Sequence, residues 1–378
     1  MEYEKAYDKL REFEKLYKYS VKAEKDFFYK PLMAKKALEM NPLNEYLDNI
    51  ESSYKKNDTI LIDNKKLVQN YSFTGKNHQA ELWFNASITK FEDHYILCYR
   101  TDKLDKELNR YCVYINLHLV RLDLNYNVIS DNHTLDLLTI PTSFLDKAIV
   151  DLPKNNHAED PRIIIHNDEL YIFYTDGFKQ LIAILDPKTF KIKYNKYLDK
   201  PFDTNYEKNW TPIIIKNQLN LIYSTSPFFT LMTLDNKEPC HINNILSRRN
   251  RINDLWEWGD IRGGTPWIQT HNKKYYISVF HSSKNLTPII EHSKIYVAGL
   301  LVMNKDLEIV GISKKPLMAP SLYTYNKSRL NQNIFVIFPC GILYNKEKYI
   351  ISMGYNDCEI RILEIEKNKI LDDINFFN

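Results

Sequence analysis

Hydrophobic and polar positions follow two different periods along this 378-residue chain. In the first stretch, Ala6, Leu10, Phe13, Leu16 and Tyr17 recur at three- and four-residue steps, which predicts an amphipathic helix. A second helix is expected from Pro31 to Met40. Asn41-Pro42 then offers an N-cap and a first-turn proline for a third, through Tyr46 and Ile50. Residues 1–57 are therefore expected to form a helical extension, packed on the main body or used for contacts between copies in a homo-oligomer. From residue 58 to 378 the period shortens to that of strands separated by turn residues.

One unit recurs five times in that second part: a small or Pro-containing start, an apolar strand, a polar turn, and a second apolar strand ending in an aromatic residue or Met. The copies open at Phe84-Asn85, Asp160-Pro161, Trp210-Thr211-Pro212, Gly264-Thr265-Pro266 and Phe338-Pro339. A further strand-like stretch follows, as in 113–123, 181–193 and 295–303. Several strands per copy, repeated radially, predict an all-β fold, a five-bladed β-propeller with the N-terminal helical extension. A two-sheet sandwich also has many short strands, but it would not repeat one unit five times. Propeller repeats open near a shared axis, so chemically rich repeat starts beside bland interiors point to a polar pocket there.

Charge and composition narrow the function. The 51 basic residues nearly balance the 48 acidic ones, a net +3 too small to argue for nucleic-acid binding. Five scattered cysteines, no CxxC pair and no signal-like start fit a reduced, cytoplasmic protein. No run of about 18 apolar residues offers a membrane span. Ten dispersed histidines show no ligand spacing, so neither a metal nor an organic cofactor is expected.

Three constellations carry chemistry. In Glu159-Asp160-Pro161-Arg162, strand alternation would put Asp160 and Arg162 on one side, the guanidinium orienting the carboxyl, with Glu159 facing away. A recessed carboxyl can serve as a general acid, though the tetrapeptide alone favours a turn-stabilising Asp-Pro beside a surface Arg. Glu207-Lys208-Asn209-Trp210 offers an aromatic platform and hydrogen-bonding groups for a sugar. Glu207 could be a second carboxylate facing Asp160 across roughly 6.5–9.5 Å, as inversion with water needs; the alternative is a core Trp behind solvated charges. Arg262-Gly263-Gly264 could cradle a phosphate or be a tight turn. The cluster Arg248-Arg249-Asn250-Arg251 could also hold phosphate or be a solvated loop.

From Phe84 onward these residues resemble glycoside hydrolase family 130, the β-mannoside phosphorylases and β-1,2-mannosidases. The resemblance rests on Phe84-Asn85 with Tyr99-Arg100, Glu159-Asp160-Pro161-Arg162-Ile163, 263–270 with Phe280-His281, Phe338-Pro339-Cys340-Gly341, and Gly354-Tyr355-Asn356-Asp357. It implies a five-bladed propeller, Asp160 as the acid acting on a β-mannosidic bond, and Arg100, His281 and Asp357 lining the sugar pocket. Asn85, Arg162, Lys208, Asn209, Trp210 and Arg262 complete the expected substrate-binding set. The sequence departs from the pattern where phosphate is held: Phe178-Lys179-Gln180 lacks an arginine, Tyr223-Ser224 stands where His-Arg is common, and Gln269 replaces a lysine. A mannosyltransferase or a phosphorylase is the leading expectation, with inorganic phosphate or a nucleotide-sugar donor as co-substrate. An inverting β-mannosidase and a non-catalytic glycan-binding propeller are the alternatives.

Overall fold

The computed structural model describes residues 47, 49–62, 67, 78–105, 110–138, 157–202, 204, 207–285, 294–321 and 334–377. The helices expected over 1–46 lie outside the described residues. Leu47 and Ile50 are buried in one hydrophobic cluster with Ile213, Trp256 and Phe280, so these two side chains pack on the sheets.

Strand β1 (Thr59–Leu61) precedes three four-stranded antiparallel sheets. The first is β2 (His78–Phe91), β3 (His94–Asp105), β4 (Arg110–Leu122) and β5 (His133–Thr134). The second is β6 (Glu159–His166), β7 (Glu169–Thr175), β8 (Gln180–Leu185) and β9 (Ile192–Tyr197). The third is β10 (Thr211–Ile215), β11 (Gln218–Ser224), β12 (Phe228–Leu234) and β13 (Ile242–Arg249). The remaining strands are β14 (Asp260–Arg262), β15 (Ile268–Gln269), β16 (Tyr276–Asn285), β17 (Lys294–Met303), β18 (Ile309–Ser313), β19 (Ile334–Asn345), β20 (Lys348–Tyr355), β21 (Glu359–Glu366) and β22 (Ile374–Phe376). With β1 they form a ten-stranded sheet, in which parallel pairing of β17 with β19 joins two antiparallel groups and β1 pairs with β21.

Local chemistry explains the hairpins. Asn167-Asp168 and Lys216-Asn217 each carry two successive positive φ angles, the backbone of the tight turn that matches strand twist. Strands such as β7 and β8 are buried on both faces, hence their unbroken apolar runs, whereas the outer β13 is largely exposed. The sheets stack face to face. Ile96, Leu117 and Leu119 of the first meet Ile172 and Leu181 of the second. Phe173 and Ile182 meet Leu221 and Met232 of the third, and Ile222 and Leu231 meet Phe280 and Val297. Ile350 and Ile362 then pack on Ala86, Ile88 and Leu97 of the first sheet, so the series returns on itself. This is an all-β, propeller-like architecture. Among the described residues, no helix is long and apolar enough to cross a membrane.

Candidate active site

The repeat starts meet at one place. Asn85, Asp160 and Asn209 open the first three sheets with left-handed backbones, φ 48, 52 and 67, a conformation Asn and Asp accept more readily than most residues. Register shifts between Phe84 and Ser87 and between Glu159 and Arg162 are the bulges that re-aim these side chains. Ser87 Oγ donates to the Cys340 carbonyl and accepts from the Ile163 N–H, tying three strands together below the site.

Asp160 sits at the centre, 7% exposed. Its Oδ1 accepts from Asn85 Nδ2 at 2.8 Å and from Arg100 Nη1 at 3.2 Å. Arg100 is also held in a fork by Asp102 at 2.6 and 2.9 Å, and pairs with Glu159 Oε2 at 3.1 Å. Three carboxylates thus share one buried guanidinium, whose own proton affinity rises well above the ordinary arginine value: burial opposes its charge, but the three carboxylates prevail. Burial alone would raise the Glu159 pKa. Arg100, the 2.6 Å bond to His157 Nε2 and the charge of Lys208 outweigh it and bring Glu159 down to about 2.

Here the structure corrects the alternation expected across Glu159-Asp160-Pro161-Arg162. The left-handed bulge at Asp160 breaks the two-residue period, and Glu159 joins the Arg100 cluster instead of facing away. Arg162 does not orient the Asp160 carboxyl. Fully buried, it donates to the carbonyls of Asp160 (2.6 Å) and Gly264 (2.9 Å) and to Asn209 Oδ1 (3.1 Å), cross-linking three repeat starts. All of those acceptors are neutral.

Two further expectations change. Trp210 is 1% exposed, and its indole N–H donates to Glu207 Oε2 at 3.1 Å, so the ring belongs to the core and cannot serve as a sugar platform. Glu207 is itself buried, its other oxygen engaged by Thr204 Oγ1 and Tyr223 OH. That carboxylate is an anchor for Trp210, which removes it as a free base. Gly263-Gly264 is close packing and no phosphate cradle: a Cβ at Gly263 would lie 2.1 Å from the Asn209 carbonyl. Arg248, on the exposed outer strand β13, reaches the Asp306 carbonyl and Glu308.

His281, opposite Arg262 in the β14–β16 pairing, is buried against Phe338 at 4.5 Å. Burial and the nearby charges of Arg162, Arg262 and Lys208 hold it neutral, far below the usual histidine range. Asp357 has a left-handed backbone in the β20–β21 turn, and burial, opposed by Arg162 and Arg100 and aided by Asp160 and Asp357, pushes the Cys340 thiol up. A recess of about 440 Å³ lies between β10–β11 and β14, with Lys208, Asn209, Arg262 and Gly263 among its lining residues. The groups that sequence reasoning missed are Asp102 and His157, and Gly354 entered it only as part of the family motif. Asp102 was readable as the same-face neighbour of Arg100 two residues away. Gly354 leaves room for the Asn85 amide, whose Oδ1 would lie 2.0 Å from a Cβ there.

One trio of described residues, Glu238, Cys240 and His241, brings possible metal-ligand atoms within 4.8 Å of one another. Lys196 and Tyr194 already hold Glu238, and Asp199 holds His241.

The model of glycoside hydrolase family 130, described as β-1,4-mannooligosaccharide phosphorylase, matches residues 64–375. No curated protein sequence matches. Among solved structures, a β-1,2-mannobiose phosphorylase from Listeria innocua in complex with β-1,2-mannobiose is 12% identical, over 85% of this chain and 98% of that one, with a TM-score of 0.57. A glycosyl hydrolase from Bacteroides ovatus is 14% identical over 76% and 85%, TM-score 0.54. A family 130 structure, from work on hydrolases that target β-1,2 mannosidic linkages in Candida mannan, is 14% identical over 77% and 86%, TM-score 0.52. At these identities the likeness is one of fold.

Proposed function

The chain belongs to glycoside hydrolase family 130, and from that premise we propose that it is an inverting enzyme acting on β-mannosides, with Asp160 as general acid and a phosphate group as nucleophile. In this reading the molecule is a five-bladed propeller. The first three sheets are blades one to three, β14–β18 with β22 form the fourth, and β19–β21 completed by β1 form the fifth.

The observation that carries the reading is the tethering of Asp160. Two donors converge on Oδ1, while Oδ2 accepts no bond among the described residues. The carboxyl is thereby aimed but not consumed. Asp160 gives its proton to the departing sugar oxygen, directly or through a substrate hydroxyl, as the nucleophile attacks the opposite face of the anomeric carbon.

Hydrolysis by inversion needs a second carboxylate to activate water. Glu207 is fixed to Trp210, Thr204 and Tyr223, and Glu159 is paired with Arg100 and His157. A phosphate oxygen needs no such base. The site also favours an anion: among the described residues Arg162 donates only to neutral oxygens, and exposed Lys208 and Arg262 stand nearby.

The test is phosphate-dependent release of mannose 1-phosphate from β-mannobiose. Asp160→Asn is expected to lower kcat by about 10²–10⁴. Full activity in that variant would remove Asp160 as the acid, and equal cleavage with and without phosphate would make the enzyme a hydrolase.

A further inference from the structure

Away from the Asp160 cluster, the turn between β12 and β13 gathers three chemically different donor groups. A carboxylate oxygen of Glu238, the sulfur of Cys240 and a ring nitrogen of His241 all lie within 4.8 Å of one another. The backbone brings them there. Asp235 Oδ1 accepts from the N–H groups of Lys237 and Glu238, and its Oδ2 from the Asn243 amide, which curls the turn. The His241 N–H then donates to the Glu238 carbonyl at 2.9 Å and closes it. Groups at the outer edge of the second sheet hold the donors in place. Asp199, just past β9, accepts from His241 Nδ1 at 3.0 Å, and its own N–H donates to the Cys240 carbonyl at 2.9 Å. An ionised carboxylate only accepts, so the ring proton is on Nδ1 and the lone pair on Nε2, as in a histidine ligand backed by a carboxylate. Glu238 Oε2 accepts from Tyr194 OH and Lys196 Nζ on β9, each at 3.2 Å, and Oε1 has no bond among the described residues. Cys240 is a free thiol, buried in the hydrophobic cluster between the second and third sheets.

We propose that this turn is a zinc site, with Glu238 Oε1, Cys240 Sγ and His241 Nε2 as ligands, Asp199 behind the histidine and water in the fourth position. One sulfur, one imidazole nitrogen and one oxygen suit zinc, whereas magnesium and calcium take oxygen donors. Bonds of about 2.0–2.3 Å to one ion set the donors about 3.5 Å apart, so the turn closes by about 1 Å. Glu238 and His241 are exposed and free to make that adjustment. On binding, the Cys240 sulfur bonds to the ion and its proton passes to solvent. A divalent ion with one thiolate and one carboxylate is a neutral centre, so net charge does not set it against the neighbouring Lys196 ammonium. The ligands belong to the third sheet and their supports to the second. The ion therefore clips the outer edges of two sheets together, and takes no part in the chemistry at Asp160.

Titration calorimetry of the full chain, stripped with a chelator and titrated with zinc chloride, tests it together with cobalt(II) absorption. One zinc per chain is expected, with a Kd below about 10 µM. Cobalt(II) in the same site should show a thiolate-to-metal charge-transfer band. Cys240→Ser should abolish that band, and Cys358→Ser, at the half-buried thiol after β20, should leave it unchanged. His241→Ala should weaken zinc by about tenfold or more, and Asp199→Ala, which removes only the support behind the histidine, by about 10–100-fold. His241 is exposed, so its variant decides the matter if Cys240→Ser fails to fold. Absence of saturable zinc binding, a cobalt band that survives Cys240→Ser, or an affinity that His241→Ala leaves unchanged overturns the proposal.

Discussion

Two successive repeat starts hold acidic side chains at nearly the same depth and use them in opposite ways. At Glu159-Asp160, the carboxylates meet a buried cation and each other, and Asp160 keeps one oxygen free of described partners. At Glu207-Trp210, the carboxylate meets only neutral donors, and both of its oxygens are taken. Burial is similar, at 7% and 2% exposed, so burial does not separate the two carboxyls. What separates them is whether the partners are charged and whether a lone pair is left over. The first arrangement leaves one oxygen of a buried carboxyl without a described partner beside a buried cation. The second spends its acceptors on holding a tryptophan.

Removing the cation should break the contrast most violently. Arg100→Met leaves Asp102, Glu159 and Asp160 buried together without their shared guanidinium, and is expected to destabilise the fold by about 3–5 kcal/mol, measured by chemical denaturation. If instead it costs no more than a surface change, the cluster is better hydrated than its geometry implies. Glu207→Gln tests the other side. It should cost about 1–3 kcal/mol through the Trp210, Thr204 and Tyr223 bonds while kcat changes by less than about threefold. A loss approaching that of Asp160→Asn would restore Glu207 as a catalytic group.

Smaller effects appear with pH. Glu159 is ionised down to about 2 in the fold but protonates near 4.5 when unfolded. Its contribution is therefore complete above pH 4.5 and is lost as pH falls from there towards 2. His281 acts at higher pH: buried and neutral, it costs stability once the unfolded chain begins to protonate below about 6.5. Denaturation midpoints across pH 7 to 3 should show both limbs, and Glu159→Gln should flatten only the lower one.

Much of this was legible in the chain. The repeated Pro-strand-turn-strand unit located the sheets and their shared end, because apolar runs and turn residues are local signals. The prominence of Asp160 was also readable. Its real partners were not, since Asn85 and Arg100 lie 75 and 60 positions away and only the fold brings them near. The alternation rule failed at Asp160 because a left-handed residue inserts a bulge, and a single sequence marks such a bulge no more clearly than any other Asp-Pro. Trp210 misled for a related reason. An aromatic at a strand start reads alike whether it faces a ligand or a core, and the deciding bond to Glu207 is a matter of side-chain direction. Asp102, by contrast, was within reach of the same-face rule from Arg100.

The pairing of β1 with β21 has a consequence for how the molecule is made. Thr59 and Arg361 are bonded across 302 positions, and the last hydrophobic interface joins Ile360 and Ile362 to Ala86 and Leu97. A ribosome releasing the chain from its amino end must deliver residue 361 and its neighbours before that seam can close. Until then the first sheet waits with an apolar face uncovered, exposed to chaperones and to neighbouring chains alike. The Arg100–Asp160 contact joins the first two sheets, but the Cys340 carbonyl that holds Ser87 and the glycine that makes room for Asn85 arrive only with the last strands.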